Sequence, residues 1–276
     1  MAASACIHST NDGAKSWVCL QWWKMTRLLS FIWRLSVGFS PRINGVKGFK
    51  SIEDVQDGIP SEVTEIVLVR HGETTWNAAG RIQGQMESDL NEVGQKQAVA
   101  IAERLAKEPR PATVYSSDLK RAKHTALEIA ENCFCPEVIE VPELKERHVG
   151  SLQGLFWTEG EEKEPQAYRA FFSDQNDLEI PGGGESFDQL CERSMHALEK
   201  IAKKHKGERV IVVTHGGVIR AVYMKITAAP SAGKLLNASV NVLHFDGKWS
   251  IKSWGDVSHL SSVGFLQRGF DGDSKH

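Results

Sequence analysis

The 276-residue chain has no cysteine pairing pattern, no excess of charge of either sign and no long uninterrupted apolar run. Its five cysteines (Cys6, Cys19, Cys133, Cys135 and Cys191) are odd in number and contain no CxxC pair. That argues against a disulfide framework or a zinc module and for free thiols. With 33 basic and 35 acidic side chains the net charge is -2. A nucleic-acid partner is not expected, because such domains are strongly basic. The histidines lack close metal-ligand spacing such as HExxH, and no internal repeat or long low-complexity tract occurs. Trp17 to Val37 is the most apolar stretch, but Lys24, Arg27 and Arg34 interrupt it. A stable membrane span is therefore not expected.

What remains is a composition with 25% charged and 41% hydrophobic residues, ordinary for a globular enzyme-sized domain. The first 50 residues differ: Asp12 is their single acid, and Trp17, Trp22, Trp23 and Trp33 cluster there. The three charges of the apolar stretch gather toward one side of a helical wheel. This suits a basic amphipathic helix or an organelle transit peptide; the other reading is a disordered segment without a role. Import into a plastid or mitochondrion would follow from the first reading, and a cytoplasmic location from the second. Residues 51–62 turn acidic, carry Gly-Pro punctuation and read as a linker. The division is thus 1–62 for the extension and 63–276 for the catalytic domain.

Within that domain, strands are predicted at Glu65–Arg70, Ala112–Tyr115, Glu137–Val141 and Arg209–Thr214, from short β-branched apolar runs. Helices are predicted over Asn91–Ala106, from Asp118 (as N-cap) to about Glu131, over Ser186–His205 and over Gly217–Lys225. Two closing strands, Val240–Phe245 and Trp249–Trp254, flank an Asp246-Gly247 turn. Alternation of this kind implies α/β architecture, with a mostly parallel sheet and helices on both faces.

Each predicted parallel strand ends in unusual chemistry. The first is followed by Arg70-His71-Gly72-Glu73 and the second by Ser116-Ser117-Asp118, with Arg121 one turn on. Leu144-Lys145-Glu146-Arg147 follows the third and Thr214-His215-Gly216-Gly217 the fourth. Ligands of open α/β sheets bind at the carboxyl ends of strands, so the four clusters should converge. Two histidines, two arginines and a glutamate suit a tetrahedral anion, because guanidinium groups fork onto phosphate and stay charged. Glycines after each histidine let backbone N–H groups approach it. A histidine in such a cradle can attack phosphorus through one ring nitrogen while the other donates to a fixed acceptor. A carboxyl group, Glu146, would protonate the leaving oxygen.

The ordered series Leu68–Thr74, Trp76-Asn77, Gly80–Gly84, Ser117–Leu119 with Arg121, Leu144 with Glu146, Pro181–Ser186 and Val213–Gly217 resembles the histidine phosphatase superfamily, in its phosphoglycerate mutase branch. The resemblance covers roughly residues 63–260. It implies a three-layer α/β/α sandwich, His71 as the phosphorylated nucleophile, Glu146 as acid/base, and Arg70, Arg121 and His215 as the phosphate clamp. It also implies Thr74, Asn77, Gln83, Gly84 and Gly216 as substrate contacts, with no metal and no other cofactor. The interval between Glu146 and His215 is short, and the mutases' basic insertion is absent. In its place stands the acidic, aromatic stretch Leu155–Ser173. This resembles the phosphatases, and the plant metal-independent phosphoserine phosphatases as a group. It implies a small phosphorylated metabolite as partner, namely L-phosphoserine in serine biosynthesis. Arg147 and His148 are then candidates to recognise the rest of the substrate. The alternatives are a phosphoglycerate mutase, a sugar (bis)phosphatase with the same chemistry and a non-catalytic phosphate-binding module. A homodimer stays open. Trp157, Tyr168, Phe171 and Phe172 are expected to be packing residues, and the Ser258-His259-Leu260 tail is left between a site role and none.

Overall fold

The computed structural model describes residues 59–264. The amphipathic-helix and transit-peptide readings fall on residues outside the described ones. Six strands form one sheet: β1 (Thr64–Arg70), β2 (Thr113–Ser116), β3 (Val138–Glu140), β4 (Arg209–Thr214), β5 (Val240–Phe245) and β6 (Trp249–Asp256). Their order is β3-β2-β4-β1-β5-β6. The β3–β2, β2–β4 and β4–β1 pairings are parallel, and β5 and β6 add an antiparallel edge. The helices are α1 (Thr75–Ala79), α2 (Glu92–Leu105), α3 (Lys120–Asn132), α4 (Gly160–Lys163), α5 (Pro165–Phe171), α6 (Phe187–Lys204) and α7 (Gly216–Thr227).

Strand alternation divides the core into two halves. Ile66 and Leu68 of β1, with Val210 and Val212 of β4, pack under α6 and α7. Their neighbours Val67, Val69, Ile211 and Val213 pack on the other face, under α2 and α3. Both faces of the central strands are covered, which is why EIVLVR and RVIVVT read as continuous apolar runs rather than alternating ones. This is the three-layer sandwich. Each fully buried branched side chain here contributes about 1.5–3 kcal/mol.

Side-chain caps start three of these helices, α1, α2 and α6. Ser186 caps α6 with a reciprocal box: its Oγ accepts from Gln189 N (3.1 Å), and Gln189 Oε1 accepts from Ser186 N (2.9 Å). Asp118 does not cap α3, contrary to expectation. Leu119 occupies the N-cap position without a side-chain bond. Ser117 Oγ accepts the Leu119 N–H, while the Asp118 carboxylate pairs with Lys145 Nζ at 3.0 Å. The short helix α1 was not expected. It forms because Thr74 and Asn77 make their own capping box. The Leu155–Ser173 stretch folds back as α4 and α5 over a small third core of Ile82, Val149, Leu152, Tyr168 and Ile180.

Helix α2 sits close behind the end of β1. A Cβ on Gly94 would lie 1.9 Å from Glu73 O, and one on Gly72 would lie 2.5 Å from Gly94 O. Gly94→Ala in a helix interior ordinarily gains about 1 kcal/mol. Here it should instead cost about 1–3 kcal/mol through overpacking. Urea unfolding of the variant tests this; a higher midpoint than that of the parent chain would contradict the packing described.

Candidate active site

The end of β1 is held from several sides. His71 N donates to Thr214 O at 3.0 Å, and His71 O accepts from Ala238 N (3.2 Å) and Asn237 Nδ2 (3.1 Å). Gly72 N donates to Thr125 Oγ1, and Glu73 N to Gln97 Oε1. Because Arg70 pairs with Thr214 in register, the next residues, His71 and His215, lie side by side. Their ring centroids are 5.2 Å apart.

The His71 ring has a fixed tautomer. Its Nδ1 lies 2.7 Å from Gly72 O. A carbonyl can only accept, so Nδ1 carries the hydrogen and Nε2 carries the lone pair. His215 Nε2 lies 2.9 Å from Ser117 Oγ, at the first turn of α7. His215 Nδ1, Arg70 Nε and Arg121 Nε are buried with no hydrogen-bond partner among the described residues. Arg70 Nη1 donates to Leu235 O. Arg121 is fully enclosed, and its terminal nitrogens donate to Met86 O (2.9 Å) and Gly84 O (2.7 Å), which fixes the loop after α1. Glu146 lies between two short 3-10 turns. Its Oε1 accepts from Arg147 N (2.8 Å) and its Oε2 from Gly217 N (3.1 Å), the latter at the start of α7. A Cβ at position 217 would meet Glu146 Oε1 at 2.2 Å, so a larger residue there would push the carboxylate away.

One cavity of about 80 Å³ brings Arg70, His71, Asn77, Gln83, Gly84, Arg121, Glu146 and Arg147 together. Four expected contacts do not line it. His215, a clamp residue by expectation, is fully buried beside the wall, its ring centroid 5.2 Å from that of His71. Thr74 is buried as the cap of α1, its Oγ1 bonded by Asn77 N. Gly216 opens α7 but leaves the wall to Gly217. His148 is turned into a polar lattice: Nδ1 accepts from Gly150 N, and Nε2 meets Gln153 Nε2 at 3.2 Å. The His259 ring contacts Ala238 O and Arg104 and is not part of the cavity wall. Conversely, Trp157 and Phe171, expected to be packing residues, line the wall with Arg81, Phe187 and Arg220. Arg220 lies one helical repeat from Gly217, so it shares that residue's side of α7, and this spacing was the available signal.

Burial dominates the electrostatics. It pushes the Arg70, Arg121 and Arg147 guanidinium groups down to about 10, which leaves them charged at neutral pH. The His71 imidazole is held well below its ordinary value by burial first, then by Arg121 and Arg70. His215 is held down by burial, then by Arg121 and His71. Both rings are therefore neutral. Among the described residues no group of three or more His, Cys, Asp or Glu is arranged to hold a metal ion, and no helix is long and apolar enough to cross a membrane.

Residues 66–257 match the histidine phosphatase superfamily (branch 1), and the chain belongs to that family. It is 80% identical over 234 residues to the metal-independent phosphoserine phosphatase of Arabidopsis thaliana, covering 84% of this chain and 98% of the relative. It is 55% identical to phosphoglycerate mutase-like protein 4 of the same plant, over 77% of this chain and 94% of that one. A phosphoserine phosphatase from Entamoeba histolytica, solved with 3-phosphoglyceric acid, superposes with a TM-score of 0.63 at 26% identity. That match covers 71% of this chain and 99% of the solved one.

The two neutral imidazoles predict an acid-labile apoprotein. Their folded values lie below the unfolded value near 6.5, so the unfolded chain binds the extra protons. Stability from these groups is then complete above about pH 6.5 and falls as the pH drops below it, by about 1.4 kcal/mol per pH unit for each ring. Denaturant titrations between pH 5 and 7 measure the slope. His71→Gln should flatten it by about that one-ring amount; an unchanged slope would mean that His71 is not held neutral.

Proposed function

We propose that the protein is a phosphatase for L-phosphoserine that works through a phosphohistidine on His71. The observation that carries this reading is the His71 tautomer: Nδ1–H is committed to Gly72 O, so Nε2 is left as the nucleophile. In the first step His71 Nε2 attacks phosphorus while the bond from phosphorus to the serine oxygen breaks. That oxygen takes its proton from Glu146. In the second step water attacks phosphorus, gives a proton to Glu146 and breaks the P–N bond, which releases phosphate. Arg70, Arg121 and His215 Nδ1 grip the phosphoryl oxygens, and Asn77 and Gln83 add polar contacts from α1 and the following loop. The guanidinium charges supply the stabilisation that a metal ion provides in other phosphoryl-transfer enzymes, so the cycle proceeds without one.

The substrate's carboxylate would meet the second basic group. The Arg147 guanidinium stands 5.6 Å from the Phe171 ring, and that of Arg220 stands 4.7 Å from the Phe187 ring. Planar cations stacked on apolar rings suit a carboxylate beyond the phosphate. The identity to the Arabidopsis phosphatase supports the same assignment.

A label that survives alkali but is lost in acid separates the histidine intermediate from other chemistry. Incubation with ³²P-phosphoserine in EDTA followed by alkaline quench should leave label on the wild-type chain and none on His71→Ala. Label retained by His71→Ala would refute the nucleophile, and loss of turnover in EDTA would refute the metal-free cycle. A second measurement addresses the carboxylate. Arg220→Gln should raise KM for phosphoserine roughly 10- to 100-fold, the worth of one charge-assisted contact. Phosphoethanolamine, which lacks the carboxylate, should change by less than about threefold under the same loss. Equal effects on both compounds would remove Arg220 from substrate recognition.

A further inference from the structure

Glu146 belongs to neither a helix nor a strand, yet proton transfer requires it within hydrogen-bond reach of one oxygen. The side chain that makes the most bonds to its loop lies on α6. Arg193 uses all five of its N–H donors on one segment and its partner. Nε donates to Glu185 Oε1 (2.6 Å), and Nη2 donates to Glu185 Oε2 (2.8 Å) and Glu146 O (3.0 Å). Nη1 donates to Glu143 O (2.7 Å) and Lys145 O (2.8 Å). Three carbonyls of the loop that carries Glu146 thus converge on one guanidinium.

Glu185 closes the other side. Its Oε2 also accepts the His148 N–H (2.8 Å), its backbone N donates to His148 O (2.8 Å), and its carbonyl accepts from Arg147 Nε (3.1 Å). The pair therefore holds the chain both before and after Glu146. Gln85 Nε2 adds a bond to Glu146 O at 3.0 Å. Arg193 does not line the cavity and touches no reacting atom. A lysine could not replace it, because a point charge on a flexible stem cannot span three carbonyls and a carboxylate at once.

We propose that Arg193, locked by Glu185, is the positioning residue for Glu146, and that its geometry rather than its charge sets the efficiency of leaving-group protonation. The proposal rests on the reading of Glu146 as the acid, and the experiment separates the two. Formation of phosphohistidine is followed by rapid quench with phosphoserine, whose alkoxide needs a proton to leave, and with p-nitrophenyl phosphate, whose phenolate does not. The ratio of the two rates is insensitive to a reduced active fraction, so partial misfolding of a variant does not mimic the effect. Misplacing a general acid costs about 10²-fold or more. Glu146→Gln and Arg193→Lys should both lower the phosphoserine rate by about that factor and the p-nitrophenyl phosphate rate far less. Glu185→Gln, which keeps the shape of the partner but weakens the fork, should shift the ratio in the same direction by a smaller factor. A selective Glu146→Gln beside a non-selective Arg193→Lys would overturn the positioning role alone. A non-selective Glu146→Gln would overturn the acid assignment and the positioning role with it.

Discussion

An excess of buried positive charge is the constraint around which the site is organised. Arg70, Arg81, Arg121, Arg147 and Arg220 line one cavity, and Glu146 is the single carboxylate on its wall. Taking guanidinium groups out of water is costly, and burial lowers three of them to about 10 without discharging them. A dianionic phosphoryl group offsets that cost directly. The same field adds to burial at the proposed nucleophile: burial first, then Arg121 and Arg70, disfavours a proton on His71, so the imidazole keeps its lone pair. Anion binding and the neutrality of His71 therefore draw on the same arginines, with burial the larger contribution to the second.

That field exists only because the topology assembles it. The chain leaves β1, passes through α2 and returns as β2, leaving room for β4 to enter between them. Once β4 is paired, Arg70 and Thr214 lie opposite each other, and the two histidines emerge from adjacent parallel strands. The glycines at 72, 94 and 217 then decide how closely α2 and the Glu146 carboxylate can approach. Larger residues at these places would separate groups that must share one small anion. The register of one strand pair and three missing Cβ atoms thus convert a common α/β sheet into a phosphate cradle.

The legible parts of this arrangement are those encoded locally. Buried strands such as EIVLVR announce themselves by composition, and a polar cluster just past a strand end belongs at the sheet's carboxyl edge wherever the strand sits. His71, Arg70, Arg121, Glu146 and His215 are of this kind, and all meet in or beside the cavity. The orientation of a side chain within a loop is not local. His148 neighbours Glu146 in sequence, but the Gly150 N–H and Gln153 draw its ring away. Trp157 and Phe171 have the composition of packing residues, and only the fold-back of α4 and α5 turns them toward the cavity. Asp118 reads as a cap because its type favours that position, yet the competing charge of Lys145 takes it. There a tertiary partner outweighs a local capping preference worth about 1 kcal/mol.

The molecule therefore separates chemistry from selection. The groups proposed for phosphoryl transfer arise from strand ends and helix starts of the sandwich, rigid elements whose positions the core dictates. The groups placed to face the remainder of a substrate arise from the fold-back segment, where Phe171 and Trp157 pack on a core of their own, and from the flank of α7, where Arg220 stands on Phe187. Replacing that upper wall would change which phosphomonoester fits without moving His71 or its clamp. Glu146 is the exception that joins the layers. Its proposed step is one that every phosphomonoester would share, but it is carried on a loop beside that wall. A bidentate ion pair anchored on α6 is the physical means by which a loop residue acquires the fixed position of a sheet residue, and it does so without using any side chain of the wall above.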